Sequence, residues 1–301
     1  MTLGGALDQV ILVTGASAGI GLACADRLTR PGRVVIGASR RGTSPGTGGW
    51  TPMVMDVDRD GSVADGVADI VARHGHLDVV VACAGWGLAG PVELTPIEDA
   101  RAQLETNFWG AVRLVQAALP SMRARGGGRI VLMSSIGGVV AIPFQAFYSA
   151  SKFAMEGFAE ALAYEVAPFG IHVTLVEPGN VRTEFTARRR TVGDAVPADG
   201  WSPEGGSEES RSGGERSDAP APGDSAPYRT ALRRAVGVME ADEAGGVAPE
   251  AVARVVERVL QYPRPPRHVS VGKWDERVGI LARRVLPYRM FERAAKGSLG
   301  V

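Results

Sequence analysis

Within the run SSIGGVVAIPFQAFYSASK, residues 134–152, the chain places a hydroxyl, a phenol and an ammonium where one proton-transfer reaction needs all three. Gly137, Gly138 and Pro143 break the run after an apolar segment at 129–133, and the pattern from Ala146 onward is helical. Ser135 therefore falls just past a strand, while Tyr148 and Lys152 ride the helix that follows. Four residues return a helix to within about 40° of the start and advance it by about 6 Å, so Tyr148 and Lys152 share a face and the ammonium reaches past the phenol. A phenol has a reference pKa of about 10, and bringing it near neutrality takes about 3 units, or roughly 4 kcal/mol of preference for phenolate. A neighbouring positive charge supplies such a preference. The bland reading, a core-edge tyrosine beside a solvated lysine, is weakened by composition: Lys stands only at Lys152, Lys273 and Lys296 among 33 basic residues. Arg spreads its charge over a planar fork and is no substitute for a point charge here.

A second constellation lies near the amino terminus. The apolar run 10–13 leads into TGASAGIG, residues 14–21, and residues 20–28 carry an amphipathic helical pattern. Glycines between a buried strand and a helix start let the backbone approach a pyrophosphate and aim helix N–H groups at it. Gly15, Gly19 and Gly21, with Ser17 and Ile20 inside the turn, are candidate dinucleotide contacts, although the first gap is one residue wider than in the common fingerprint. The second strand, 34–38, ends in Ser39, Arg40 and Arg41. No carboxylate stands there to accept from ribose hydroxyls, and two guanidiniums are available for a 2′-phosphate, so NADP(H) is expected in preference to NAD(H). A third strand at 53–57 sets Asp56 and Val57 beside an adenine, and the small-residue turn Cys83, Ala84, Gly85 after the strand at 77–82 passes under a cofactor ribose.

These groups need a scaffold. A helix at 63–73 buries Val63, Val67, Ile70 and Val71, and a long amphipathic segment from Pro96 to Arg125 carries Asn107 among apolar neighbours. The helix from Ala146 ends near Pro168, and a sixth strand at 171–176 runs into Pro178, Gly179, Val181 and Thr183, further candidate cofactor contacts. Strands alternating with helices at this spacing predict an α/β fold: a doubly wound parallel sheet in three layers, one domain over 1–301. Ligands in such sheets sit beyond the carboxyl ends of the strands, where Gly15, Cys83, Ser135 and Pro178 gather. Residues 191–227 turn to Gly, Ser, Pro, Glu and Asp and read as a disordered insertion decorating a substrate lid. Helices at 228–239 and 249–260, an edge strand at 268–271 and a basic amphipathic tail at 276–295, expected to pack on the core, complete the chain.

Composition narrows the class. With 301 residues and 45% hydrophobic content the chain can bury a large core, and its formal net charge of +0, from 33 basic and 33 acidic residues, steers it toward neither nucleic acid nor an anionic membrane. A small molecule is the expected partner. Cys24 and Cys83 make no disulfide framework, no apolar run is long enough for a membrane span, and the amino terminus shows no basic segment ahead of a long apolar run, so a cytoplasmic protein is expected. His74, His76, His172 and His268 show no ligand spacing with the cysteines, and no metal is assigned.

TGASAGIG and YSASK, in order, resemble the cofactor turn and the Y-x-x-x-K motif of the short-chain dehydrogenase/reductase family, in its single-domain branch. The resemblance is strong over residues 10–183 and weak beyond, and 134–184 are further similar to hydroxysteroid and retinol dehydrogenases. It implies a Rossmann-type fold, a possible homodimer or homotetramer, and a catalytic tetrad of Asn107, Ser135, Tyr148 and Lys152. Ser135 is preferred to Ser134 because the family's serine stands thirteen residues before its tyrosine. By the same resemblance Tyr148 is the general acid or base, Ser135 holds the substrate oxygen, Lys152 lowers the Tyr148 pKa and binds nicotinamide ribose, and Asn107 holds a relay water. The family's usual Asn-Ala-Gly is Cys83, Ala84, Gly85 here, which removes one side-chain hydrogen bond at the sheet edge. The implied activity is hydride transfer between NADP(H) and a hydrophobic ketone, aldehyde or secondary alcohol, with Trp86, Val139, Phe144 and Phe185, beside Leu88, Val140, Ile142 and Phe147, as pocket candidates. Two other readings stay open: a nucleotide-binding regulator without turnover, and a relative of sugar epimerases and dehydratases.

Overall fold

A computed structural model describes residues 8–43, 48–192, 226–287 and 289–290. In chain order, β1 (Gln9–Thr14) turns through the glycines into α1 (Gly19–Leu28), followed by β2 (Arg33–Ser39), β3 (Thr51–Val54), α2 (Asp60–His74), β4 (Val79–Ala82) and a short β5 (Leu88–Ala89). Then come α3 (Ile97–Leu104), a π-helical turn at Glu105–Trp109, α4 (Gly110–Arg125), β6 (Gly128–Met133), α5 (Ala146–Val166), β7 (Ile171–Pro178) and β8 (Arg190–Thr191). The chain closes with α6 (Ala226–Ala244), α7 (Pro249–Gln261), β9 (His268–Val271) and α8 (Trp274–Val285).

Seven strands form one sheet in the order β3-β2-β1-β4-β6-β7-β9, every pair parallel. Successive side chains of a strand face opposite ways, and both faces here are apolar. Val10 and Leu12 of β1 join Val80, Ile130 and Leu132 in the core under α2, α4 and α5, while Ile11 and Val13 join Val79, Val81 and Val131 under α1 and α7. Each such side chain contributes about 1.5–3 kcal/mol by leaving water, which makes the doubly wound arrangement self-consistent. The chain reverses its winding between β1 and β4, and the crevice opens beyond their carboxyl ends.

Several boundaries differ from the sequence reading. β3 stops at Val54, so Asp56 and Val57 lie past the strand in the turn to α2, where the Ser62 hydroxyl accepts the Asp56 N–H at 2.9 Å. β4 starts at Val79 because the Leu77 N–H goes to the Ser121 hydroxyl. The segment after Pro96 is two helices joined by a π turn. β5 and β8 pair in a separate two-stranded sheet that no period in the sequence announced. Most of the polar insertion and the tail beyond Met290 lie outside the described residues.

The expectation that the tail packs on the core holds for one face of α8 only. Ile280 is buried, and the Glu276 carboxylate accepts from the Asn180 N–H at 2.9 Å and from its side-chain amide at 2.7 Å. Trp274, Val278, Leu281 and Val285 form an exposed stripe on the other face, because four- and three-residue steps keep them in register on the helix.

Candidate active site

Strand β6 ends at Met133, and the chain passes through Ser134 and Ser135 into a 3-10 turn at Ile136–Gly138. Ser135 caps that turn, its Oγ accepting the Gly137 N–H at 3.0 Å, which fixes the hydroxyl facing α5. Gly138 packs so closely on α5 that a Cβ would lie 3.1 Å from the Lys152 backbone, and a Cβ on Gly137 would lie 3.1 Å from the Tyr148 ring. The two glycines thus bring Ser135 against Tyr148. Ser135, Tyr148, Lys152 and Asn107 are all buried.

The electrostatics run against the simple expectation. Burial pushes the Tyr148 phenol up to about 12; a hydrogen bond with Ser135 and the Arg189 charge pull it back, and Glu243 pushes it further up. Lys152 does not dominate the phenol. Its ammonium donates to the Met133 carbonyl at 2.8 Å and lies 5.9 Å from the Tyr148 ring centroid. Burial pushes Lys152 itself down to about 8, with Cys83 and Glu156 acting in the opposite sense. Taking both groups out of water penalises phenolate and ammonium alike, and burial is the largest influence on each.

Asn107 occupies the π turn, where an extra residue in the helix rotates its side chain inward. Its Oδ1 accepts from the Trp86 N–H at 3.0 Å, and its Nδ2 donates to the Trp86 carbonyl at 3.0 Å and to Ser151 Oγ at 3.3 Å. A Cβ on Gly85 would stand 3.0 Å from Asn107 Oδ1 and 4.0 Å from Lys152 Nζ, so the bare face of Gly85 borders both. Ser135 and Lys152 thus lie beside Tyr148, with Asn107 across Gly85 from Lys152.

The glycine turn packs tightly on its own surroundings. Gly15 has φ +69° and Gly19 φ +54°, and a Cβ on Gly15 would lie 2.9 Å from the Ala84 nitrogen. Ala18 caps α1 without a side-chain hydrogen bond, leaving the N–H groups of the first turn to an outside acceptor. Thr183 packs over Gly19, 3.3 Å from where its Cβ would stand, which brings the segment after β7 to the turn. The tight turn and the N–H groups of the uncapped start of α1 are compatible with the pyrophosphate of a dinucleotide. Thr14 supplies the tie that Cys83 cannot: its Oγ1 accepts the N–H groups of Cys83 and Ala84 at 3.2 and 3.4 Å. Arg40 and Arg41 are exposed at the end of β2, with Asp58 close enough to feel Arg40. Ser17 lies in the glycine turn, Pro178 ends β7, and the Gly179 N–H donates to the Val271 carbonyl at 2.7 Å, whereas Ile20 packs against the core and Val181 is buried in it, paired with Val247.

Of the pocket candidates, Phe185 sits edge-on to Tyr148 with ring centroids 5.8 Å apart. Phe144 has φ +60°, a costly conformation for a side-chain-bearing residue, and packs against Ala89, Leu232 and Val236 beside α6. Val139 is half-buried in the turn after Ser135. Trp86 spends its indole N–H on Thr106 Oγ1 at 3.2 Å and turns toward α3 and α4.

Three groupings escaped the sequence reading because their members are far apart in the chain. Arg189 and Glu243 form a buried ion pair beside Tyr148. Cys24 and Cys83 hydrogen-bond each other behind the cofactor turn. Glu156, Glu177 and His268 bring possible ligand atoms within 4.8 Å of one another, although no metal was expected. Their atoms are already engaged, His268 Nδ1 with Glu177 at 2.9 Å, Ser270 Oγ with Glu177 at 2.7 Å, and Ser134 with Glu156.

A family model described as short chain dehydrogenase matches residues 9–192. A 3-ketodihydrosphingosine reductase of Bacteroides thetaiotaomicron is 35% identical over 288 residues, covering 96% of this chain and 97% of that protein. Human 17-beta-hydroxysteroid dehydrogenase type 1 is 38% identical over 193 residues, 58% of each chain. A short-chain dehydrogenase of Streptomyces avermitilis superposes with a TM-score of 0.72 at 29% identity, over 97% of this chain and 99% of that one.

Proposed function

The chain belongs to the short-chain dehydrogenase family and is an oxidoreductase acting on CH–OH or C=O groups, and within that class we propose that it is an NADP(H)-dependent ketoreductase for long-chain, lipid-like ketones. The observation that carries this reading is the convergence of Ser135, Tyr148 and Lys152 on one crevice with Phe185 against the phenol. Similarity to a 3-ketodihydrosphingosine reductase over nearly the whole of both chains supports the lipid ketone.

Gly15, Gly19, Gly21 and the first turn of α1 would hold the pyrophosphate, Arg40 and Arg41 the 2′-phosphate, and Lys152 the nicotinamide ribose. Bound nicotinamide supplies the hydride that reduces the carbonyl carbon. Ser135 hydrogen-bonds the substrate oxygen and keeps it within reach of Tyr148. Tyr148 stays protonated at neutral pH, its phenol held up at about 12, and gives that proton to the oxygen as negative charge develops there. Lys152, on the same face of α5, stabilises the phenolate left behind. Asn107 ties the Trp86 turn to Ser151 and so to the helix that carries Tyr148; we assign it the relay water as well. Alcohol oxidation uses the same groups in reverse.

The test is reduction of 3-ketodihydrosphingosine, retinal and a steroid ketone by the purified protein with NADPH and with NADH. NADPH-driven reduction of the sphingoid ketone is expected; turnover confined to small polar carbonyls, or tighter binding of NADH, would remove the reading.

A further inference from the structure

Behind Phe185, on the same side of Tyr148, lies a guanidinium that this chemistry leaves unused. The Arg189 side chain is 2% exposed, and its Nη2 pairs with Glu243 Oε1, while Glu243 Oε2 accepts the Thr186 hydroxyl. Arg189 Nε and Nη1 are sealed from solvent without a hydrogen-bond partner among the described residues. A buried polar group left unpaired costs about 1–3 kcal/mol, and more when charged, so folded proteins seldom tolerate two on one side chain. Two orphan donors on one cation call for an acceptor that arrives from outside.

The position says what that acceptor belongs to. Gly87 admits both side chains: a Cβ there would lie 2.8 Å from Phe185 Cζ and 3.5 Å from Arg189 Cγ. The Arg190 N–H donates to the Gly87 carbonyl at 2.9 Å, holding the β8 segment against the loop after β4. Tyr148, Phe185, Gly87 and Arg189 are thus a continuous wall, and both Arg189 and Glu243 act on the Tyr148 phenol. Glu243 already neutralises the guanidinium, so a phosphate or carboxylate would lie beside an opposing carboxylate. The two open donors also lie on different edges of the fork, which does not suit one bidentate anion.

We propose that Arg189 is a substrate subsite that binds a neutral acceptor oxygen, a hydroxyl or carbonyl, carried near the reacting ketone. This rests on the ketone-reduction reading above. The subsite selects for such an oxygen because a substrate lacking it leaves a buried guanidinium donor unpaired in the complex.

The experiment compares a long-chain hydroxyketone with the same ketone carrying hydrogen in place of the hydroxyl, using the full-length protein and NADPH. The wild type is expected to favour the hydroxyketone by about tenfold or more in kcat/KM. Arg189→Gln should abolish that preference, bringing the two ketones within about twofold of each other in kcat/KM, on top of any common loss from its effect on the Tyr148 phenol. Equal use of both ketones by the wild type overturns the subsite while leaving the ketoreductase intact, whereas failure to reduce either removes the reading beneath it. Equal losses on both ketones in Arg189→Gln mark a merely structural ion pair and overturn the proposal. Should that variant fail to fold, the double variant Arg189→Gln/Glu243→Gln removes both charges together and is read in the same way; the wild-type preference decides if neither folds.

Discussion

Lys152 Nζ lies 5.9 Å from the centre of the Tyr148 ring and gives its hydrogen bond to the Met133 carbonyl, 2.8 Å away. The lysine is therefore held by the end of β6, the same strand that leads into Ser135, and α5 is pinned to the strand end by a side chain as well as by helix packing.

Replacing Tyr148 with Phe removes the proton donor and keeps the ring against Phe185. Turnover should fall by about 10²–10⁴-fold, the contribution of general acid catalysis. NADPH affinity, measured by fluorescence titration, should stay within about threefold. A Phe variant with unaltered kcat would take Tyr148 out of the mechanism.

Lys152 binds its proton less tightly in the folded chain, about 8, than its ordinary 10.5. Between those values the unfolded chain holds a proton that the folded one has lost, so the lysine's contribution raises stability as pH rises from about 8 to 10.5. The cost of burying the charge is present in full below pH 8 and amounts to about 3–4 kcal/mol. Urea unfolding of the wild type relative to Lys152→Met should show the wild type gaining across that window; a flat difference would mean the ammonium is better solvated than its burial implies.

Gly15 occupies φ +69°, and a Cβ there would press on the Ala84 nitrogen at 2.9 Å. Gly15→Ala should cost about 1–3 kcal/mol of stability through backbone strain and contact. It should also abolish nucleotide binding, because the turn and the loop after β4 must separate. Calorimetry and NADPH titration read the two effects, and a variant that binds NADPH as the parent does would show that the cradle is not there.

Arg40 and Arg41 are exposed at the end of β2, where no carboxylate follows the strand directly and Asp58 is near Arg40. A charge-assisted hydrogen bond to phosphate is worth about 1.5–3 kcal/mol, or roughly ten- to a hundredfold in affinity. Arg40→Ala/Arg41→Ala should therefore lose at least about tenfold in NADPH affinity and change NADH by less than about twofold. Equal losses for the two nucleotides would assign these charges to general attraction.

Cys24 is wholly buried, and its contact with Cys83 together with burial raises its thiol well above the ordinary value. Iodoacetamide at pH 8 should leave Cys24 unmodified in the native protein and alkylate it on unfolding, as peptide mass spectrometry would show. Native labelling of Cys24 would mean that this side of the cofactor turn opens readily.

What the sequence determined by itself was local. Gly15, Gly19 and Gly21 follow a strand directly, and Tyr148 and Lys152 are one helical turn apart; in both cases bond geometry over a few residues sets the arrangement. The order of strands and helices was equally legible, because apolar runs covered on both faces leave few ways to stack, and the observed order β3-β2-β1-β4-β6-β7-β9 is one of them. Tertiary structure alone decided the rest. The inward turn of Asn107 depends on a π turn wedged between α3 and α4, the Lys152 hydrogen bond on where β6 ends, and the phenol's high pKa on how much water the surrounding elements exclude. Cys24 meets Cys83, and Arg189 meets Glu243, only because the sheet and the segments after it bring distant stretches together. Local periodicity carries no information about such partners, since pairing across the fold depends on the summed packing of elements that the intervening chain merely connects.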